Sequence, residues 1–474
     1  MYSKCRRLWH DGKEWWMWEG KRFQTASQAR VRYIIMHQLS TVYKRVRVEL
    51  SEELAGTTNK ERAAELEALL RNLKSYNCSH EVDSTLKIME GEMYLCLASE
   101  LDGDPDILNV RNGVIDLRTG QLDVHRPAYG CTMIADVDYK GLDHPSPTVD
   151  NFLNDIFNED RALIYFMQRL WGYSINGRTT AELMVFLLGI GGNGKGVCKQ
   201  MLEATLGDYY GVMAKDAVVK SPGQRPPSKG GATGYLAELR GLRVAITDET
   251  SPGERVDLGL VLLMTGGGKV TARLLYKNNV AFRCSHTPFN QTNYDPEIPL
   301  TLAKQNNIDR RLIVVRFPNE YVTENKFDAS NPSHRLVDSG LKDRMETMVV
   351  REEFLSFLVR GSVAWYENPD VLKTHPPAVQ AARNAWLQKG DKLQVFLREH
   401  CVMDPNETAE RDLSVVWEEE FWVRFQVYAG MKIPKEELAR QMGEKGYPRR
   451  KRRSETGNPD SGRALCYLGF KCEY

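Results

Sequence analysis

LMVFLLGIGGNGKGVCKQMLEATL, residues 183–206, decides the fold. Leu183 to Leu188 are all apolar, as in a strand buried on both faces of a parallel sheet. Gly189-Ile190-Gly191-Gly192-Asn193-Gly194-Lys195-Gly196 follows. Val197 to Leu206 then reads as a helix with Val197, Met201, Leu202 and Leu206 apolar. Strand, glycine-rich loop and helix together make a phosphate cradle. Backbone N–H groups at a helix start point at an anion, glycines let the backbone approach it, and Lys195 is placed to reach the β- and γ-phosphates. Against GxxxxGK[ST], Gly189, Gly194 and Lys195 match. Gly196 stands where a Ser or Thr hydroxyl would hold magnesium. Gly191, Gly192, Asn193, Gly196 and Val197 complete the candidate nucleotide-binding set, and ATP with Mg²⁺ is the expected cofactor pair.

Gly241-Leu242-Arg243-Val244-Ala245-Ile246-Thr247-Asp248-Glu249 reads as a second buried strand ending in two carboxylates. A neighbouring strand that delivers two acids to the phosphates suits the same core. One carboxylate can hold Mg²⁺ and another can orient or deprotonate the attacking water. Asp248 is assigned to magnesium and Glu249 to the water.

The 474 residues, 42% of them hydrophobic, allow two to four domains with proper cores. No stretch reaches eighteen consecutive apolar residues, so no membrane helix is expected. Met1 to Arg7 lead into Trp and charge rather than an apolar run, so no secretory signal is expected. The nine cysteines contain no CxxC pair. Cys78 and Cys284 each precede a His by two residues without a second such pair, and no structural zinc is expected. Reduced thiols and a cytoplasmic setting follow. A net charge of +1 leaves nucleic-acid binding to local patches.

Trp15, Trp16 and Trp18 with Phe23 suggest a small β element about Glu19-Gly20-Lys21, followed by a helix from Gln28 to Tyr43. Arg30, Arg32, Lys44, Arg45 and Arg47 fit a solvated helix face better than a DNA contact. Lys60 to Leu73 is amphipathic, with Leu66, Leu69, Leu70 and Leu73 on one face. Met93 to Leu97 looks like a strand. Asn112-Gly113 and Thr119-Gly120 separate short apolar strands, as in hairpins. Val149 to Tyr173 reads as one helix leading into the phosphate-loop strand.

The sequences ILNVRNGVIDLRTGQLDVHRP, FLNDIF…YFMQRLWGYSI and LLGIGGNGKGV occur here in that order. This series resembles the helicase portion of phage and plasmid primase–helicases, akin to those of poxviruses, in helicase superfamily 3. The resemblance covers roughly residues 90–400. It implies a P-loop AAA+-like α/β core. Of the two acids, it favours Glu249. The segment from Thr265 to Asn279 resembles the family's DNA-contacting hairpin, with Lys269, Arg273 and Lys277 suited to phosphates. Gly268 departs from the acid usual there. The family's Thr-Asn-x-x-Pro falls on Thr292-Asn293, so Asn293 is the candidate γ-phosphate sensor and His286 a structural histidine. The resemblance places the arginine finger in Arg310-Arg311, without choosing between them. A finger acts on a neighbour's nucleotide and implies a homo-oligomer, expected to be a hexamer.

Towards the C-terminus, Glu352 to Tyr366 and Val379 to His400 read as helices of a lid. Helices from Val415 to Tyr428 and Lys435 to Lys445, the run Arg449-Arg450-Lys451-Arg452-Arg453 and a strand from Ala464 to Phe470 suggest a winged helix. Five successive cations suit either a DNA-binding wing or a solvated tail. The expected domains are 1–92 (aromatic and helical), 93–175 (mixed α+β), 176–345 (ATPase), 346–405 (lid) and 406–474 (winged helix).

The expected activity is ATP hydrolysis driving a replicative DNA helicase of a phage, plasmid or virus in the host cytoplasm. Its partners would be single-stranded and forked DNA and a separate primase or polymerase. No carboxylate pair with histidine marks a primase here, and the resemblance places that domain upstream. The alternative is a replication initiator or DNA remodeller that binds ATP and hydrolyses it poorly, motivated by Gly196 and Gly268.

Overall fold

A computed structural model describes residues 8–10, 14–73, 79–97, 101–220, 234–247, 249–251, 254–272, 280–296, 310–390, 392–403, 415–430, 433–453, 463–468 and 470–472. Its centre is a parallel sheet of Met184–Leu188 (β1), Tyr210–Met213 (β2), Val244–Thr247 (β3), Thr287–Thr292 (β4) and Leu312–Arg316 (β5). The strand order is β5-β1-β4-β3-β2, with every pairing parallel. The period of two divides β1, β3 and β5 between two cores. Val185 and Leu187 of β1 enter one, and Met184, Phe186 and Leu188 enter the other. β5 does the same with Ile313 and Val315 against Leu312 and Val314. Burial on both faces explains why β1 carries no polar residue. Each such side chain contributes about 1.5–3 kcal/mol of transfer free energy.

Helices cover both faces. On the first lie Arg161–Ser174, Lys195–Leu206 and Met348–Glu367. On the second lie Leu258–Thr265 and Pro377–Gly390. Trp386 of the latter sits with its ring centroid 4.6 Å from that of Phe186 and donates Nε1–H to the Pro296 carbonyl at 2.8 Å. Arg161–Ser174 and Met348–Glu367 meet at backbone contact. A Cβ on Gly361 would fall 2.0 Å from the Gln168 carbonyl oxygen, and one on Gly172 would fall 2.2 Å from the Gly361 carbonyl carbon.

Antiparallel strands Ile107–Val110, Gly113–Asp116 and Gln121–Asp123 form the expected hairpins. Leu108, Val110, Ile115 and Leu117 join the cluster on the first face of the sheet, while Ile107 and Val114 form a small cluster with Cys131 on the other side. Buried Asp106 ties the hairpins to the first face, accepting from Arg178 at 2.5 Å and from the Tyr366 hydroxyl at 2.6 Å. Burial alone would raise this carboxyl. The hydrogen bonds and the charges of Arg178 and Arg118 hold it below the usual carboxylate range.

Several elements differ from their sequence reading. Met93 to Leu97 end the helix Ser79–Leu97 instead of forming a strand, because a short apolar run fits either state and the helix already extends into it. The stretch from Val149 to Tyr173 is two helices, Pro147–Ile156 and Arg161–Ser174. Asn158 and Glu159 break it with positive φ angles of 50° and 59°, and Asp160 caps the second helix by accepting from the Leu163 N–H. The helix after the tryptophan hairpin runs on to Gly56, and on Lys60–Asn72 only Leu66 is fully buried while Leu69 is exposed.

The stretch from Val379 to His400 also divides. Pro377–Gly390 packs on the central sheet. Lys392–His400 puts Leu393, Phe396 and Leu397 into the C-terminal cluster with Phe421, Phe425 and Tyr467. The C-terminal unit therefore begins near residue 392 rather than 406. Val415–Trp417 is a strand of that unit, not the start of the helix, which is Glu418–Ala429. The second helix, Lys435–Glu444, is followed by antiparallel Arg450–Arg453 and Arg463–Leu468.

Candidate nucleotide site and nucleic-acid surfaces

The strands of a parallel sheet aim their carboxyl ends at one edge, where ligands bind. At that edge β1 runs into Gly189, β3 into Glu249 and β4 into Asn293. Backbone bonds pin the loop from both sides. Gly189 N–H donates to the Thr292 carbonyl at 3.3 Å, and Tyr321 N–H donates to the Gly192 carbonyl at 2.6 Å. Gly191, Gly192 and Gly194 have φ of 101°, 55° and 92°, which only glycine adopts cheaply. Gly189 is required by space: a Cβ there would lie 1.8 Å from Asn193 Nδ2. Gly196 is different, with nothing within 4 Å of a Cβ.

Lys195 is 2% exposed and its ammonium is fully engaged. Nζ donates to the Gly189 carbonyl at 2.8 Å, to Asn193 Oδ1 at 3.1 Å and to Asn293 Oδ1 at 3.0 Å. Asn293 Nδ2 in turn donates to Glu249 Oε2 at 3.0 Å. One chain of hydrogen bonds thus runs from the loop lysine through the amide to the carboxylate. Burial pushes the Lys195 pKa down to about 8, with the Glu249 charge opposing the shift. Asn193 Nδ2 is buried in the loop and, among the described residues, has no hydrogen-bond partner. An orphaned donor beside a buried cation calls for an anion.

The pocket here encloses about 480 Å³. Glu249, Gln291 and Asn293 line one side, and Phe152, Tyr321, Val337, Leu341 and Lys342 line another. Lys342 and Tyr321 were missed in the sequence because they follow the last core strand and belong to no spaced motif. The Tyr321 hydroxyl donates to Asp155 at 2.5 Å, so the wall is braced against the helix Pro147–Ile156.

Asp248 lies outside the described residues. The acid strand β3 is not beside β1 as expected, since β4 separates them. The inserted strand is the one that carries Asn293, which places the amide between Lys195 and Glu249. His286 is buried, and burial lowers its pKa to about 4. It is therefore neutral near pH 7.

Arg310 and Arg311 stand at the opposite edge of the sheet, just before β5. Arg311 is buried, donating Nη1–H to Thr265 Oγ1 at 2.7 Å and pairing with Glu182 at 3.0 Å. Arg310 also pairs with Glu182, but its side chain is 60% exposed.

The antiparallel strands Lys269–Ala272 and Val280–Arg283 pair in a ladder that follows the helix Leu258–Thr265. Val270, Ala272 and Phe282 face inward, whereas Lys269 and Arg283 are exposed and directly opposite in register. Like charges so placed repel, and an anion between them relieves the cost. Arg273 and Lys277 lie outside the described residues.

A family profile described as D5 N terminal like matches residues 3–158. A putative helicase, L207/L206, of Acanthamoeba polyphaga mimivirus is 24% identical over 315 residues, spanning 65% of this chain and 32% of that protein. A putative primase, C962R, of African swine fever virus (strain Badajoz 1971 Vero-adapted) is 26% identical over 331 residues, 67% of this chain and 33% of that protein. The chain is homologous to viral helicase and primase proteins. It spans about a third of the length of these helicase/primase relatives. The fold is mixed α/β and similar to the apo C-terminal region of NrS-1. That match has a TM-score of 0.50 at 9% identity and covers 98% of this chain and 95% of that one.

The chain carries its basic run in the C-terminal unit, and the run is not uniform. Arg449 is turned inward, donating Nε–H to Glu418 at 2.7 Å and Nη1–H to Glu436 at 3.0 Å. It serves the fold rather than a phosphate. Arg450 and Lys451 are exposed, and the side chains of Arg452 and Arg453 lie outside the described residues. No helix among the described residues is long and apolar enough to cross a membrane.

Proposed function

We propose that this chain is the ATPase motor of a viral DNA helicase, with a P-loop AAA+-like core that works as a ring of copies. The relay Lys195–Asn293–Glu249 at the carboxyl edge of the sheet carries this reading. It joins the three roles that phosphoryl transfer to water requires: a cation for the phosphates, an amide that orients, and a carboxylate that takes a proton. ATP fits the residues present, because Asn193 Nδ2 and Lys195 supply donors to the phosphates and Phe152, Val337 and Leu341 supply an apolar wall.

In this mechanism, Lys195 neutralises the β- and γ-phosphate oxygens, and Asn293 shifts its Oδ1 or Nδ2 contact when the γ-phosphate arrives. Glu249 orients the attacking water and accepts its proton. Magnesium, which Asp248 is proposed to hold, would supply further charge neutralisation when bound. Gly196 offers that ion no hydroxyl, which favours the second reading of an ATP-binding initiator with slow turnover.

Arg310 is the proposed finger, since Arg311 is committed inside its own protomer. The five residues of β1 separate the two edges by roughly 16 Å at about 3.3 Å each, so the arginine serves a neighbouring copy's nucleotide rather than its own. Lys269 and Arg283, together with Arg273 and Lys277, are proposed to grip the phosphates of single-stranded or forked DNA. Arg450, Lys451, Arg452 and Arg453 are proposed as a second contact. A hexamer in the host cytoplasm, supplied with a primase or polymerase, completes the proposal.

Subunit mixing tests it. Lys195→Ala should abolish hydrolysis, and Arg310→Ala should lower it by roughly 10³-fold or more. Mixed, they should regain part of it, because some interfaces pair an intact Lys195 with an intact Arg310. No recovery at any mixing ratio or protein concentration would overturn the shared-site ring.

A further inference from the structure

We propose that Glu182 is the positioning residue of the arginine finger, which rests on the reading of Arg310 as that finger. Glu182 lies directly before β1, at the edge of the sheet remote from the nucleotide pocket. Its carboxylate receives both arginines, Arg311 at 3.0 Å on Oε1 and Arg310 on Oε2. Its backbone has φ of 54°, a costly conformation for a side chain of this kind, and its N–H donates to the Thr179 carbonyl at 3.0 Å. The turn therefore holds the carboxylate in one place.

The two arginines differ in what they can do next. Arg311 is anchored by Thr265 and serves as the fixed side of the clamp. Arg310 is 60% exposed and pairs with Glu182 Oε2 through Nη2. A guanidinium paired through one nitrogen still has further N–H groups to offer an oxyanion. That geometry suits capture of a phosphate oxygen on a second copy of this chain. An unbraced arginine would have to order itself at each encounter, and misplacement by an ångström costs about 100-fold in rate. Thr265 ends the helix Leu258–Thr265, four residues before the strand that starts at Lys269.

The test is steady-state ATP hydrolysis by the full chain with single-stranded DNA, for wild type, Glu182→Gln, Glu182→Asp, Arg310→Ala and the double variant Glu182→Gln/Arg310→Ala. Glu182→Gln should lower kcat by ~10- to 100-fold with little change in KM for ATP, because its own nucleotide is remote. Glu182→Asp, which keeps the charge, should lose less. In the Arg310→Ala background Glu182→Gln should cost nothing further, because the group it positions is gone. Losses that multiply in the double variant, or a kcat for Glu182→Gln equal to wild type, would overturn the proposal. Should Glu182→Gln melt early, Glu182→Asp with and without Arg310→Ala gives the same cycle. Wild type that hydrolyses no ATP would instead overturn the motor reading, and that is seen before any variant is made.

Discussion

Raising the pH from 7.5 to 9.5 should weaken ATP binding by about 25-fold, or ~1.9 kcal/mol. The number comes from Lys195. Burial brings its pKa down to about 8, so the fraction charged falls from about 0.76 to about 0.03 across that window. Bound phosphate favours the charged form and restores the ordinary value, so binding takes up a proton wherever the free site has lost one. The free protein should respond with the opposite sign. Its folded value lies below the unfolded one, so the fold prefers the uncharged lysine, and stability should rise as pH climbs from about 8 towards about 10.4. Calorimetric titration with a non-hydrolysable ATP analogue at half-unit steps of pH measures the first effect. Lys195→Arg provides the control: its guanidinium stays charged and should flatten the dependence, whatever its starting affinity. A wild-type affinity that is constant between pH 7.5 and 9.5, or a slope shared by Lys195→Arg, would refute the placement of Lys195 against the phosphates.

Gly196→Ser should be accepted without a clash and should raise helix propensity by roughly 0.3–0.5 kcal/mol, seen as a small rise in Tm. It should also lower the Mg²⁺ concentration for half-maximal hydrolysis about tenfold, if a hydroxyl there contributes a ligand worth ~1.4 kcal/mol. Gly361→Ala should destabilise by about 1–3 kcal/mol in denaturant titrations, because its Cβ would lie 2.0 Å from the Gln168 carbonyl oxygen and the helices must part. Arg449→Ala should destabilise the C-terminal unit by leaving the buried Glu418 carboxylate with only the Tyr467 hydroxyl. Lys451→Ala should leave the melting temperature unchanged and reduce the salt slope of DNA binding by about one.

The parallel core was legible because strands buried on both faces leave unbroken apolar runs, and β1 and β3 were both visible that way. Asn293 was legible from an ordered set of motifs rather than from its own surroundings, and the geometry gives it partners on both sides. Glu182 was not legible. Its role depends on two arginines far along the chain, and nothing in local spacing joins them. The partners of Arg449 were hidden for a related reason: within a run of five cations, sequence does not say which one a buried acid such as Glu418 will capture. Met93 to Leu97 show the limit of short apolar runs, where the preceding helix decides the outcome.

The central claim is that the Lys195–Asn293–Glu249 site turns over ATP under the control of DNA. The most direct measurement is steady-state phosphate release with and without single-stranded DNA, for wild type and Lys195→Ala. The account predicts hydrolysis that DNA stimulates and that the substitution abolishes. Tight binding of ATP and DNA without turnover would contradict it and leave the initiator reading, with Gly196 as the reason.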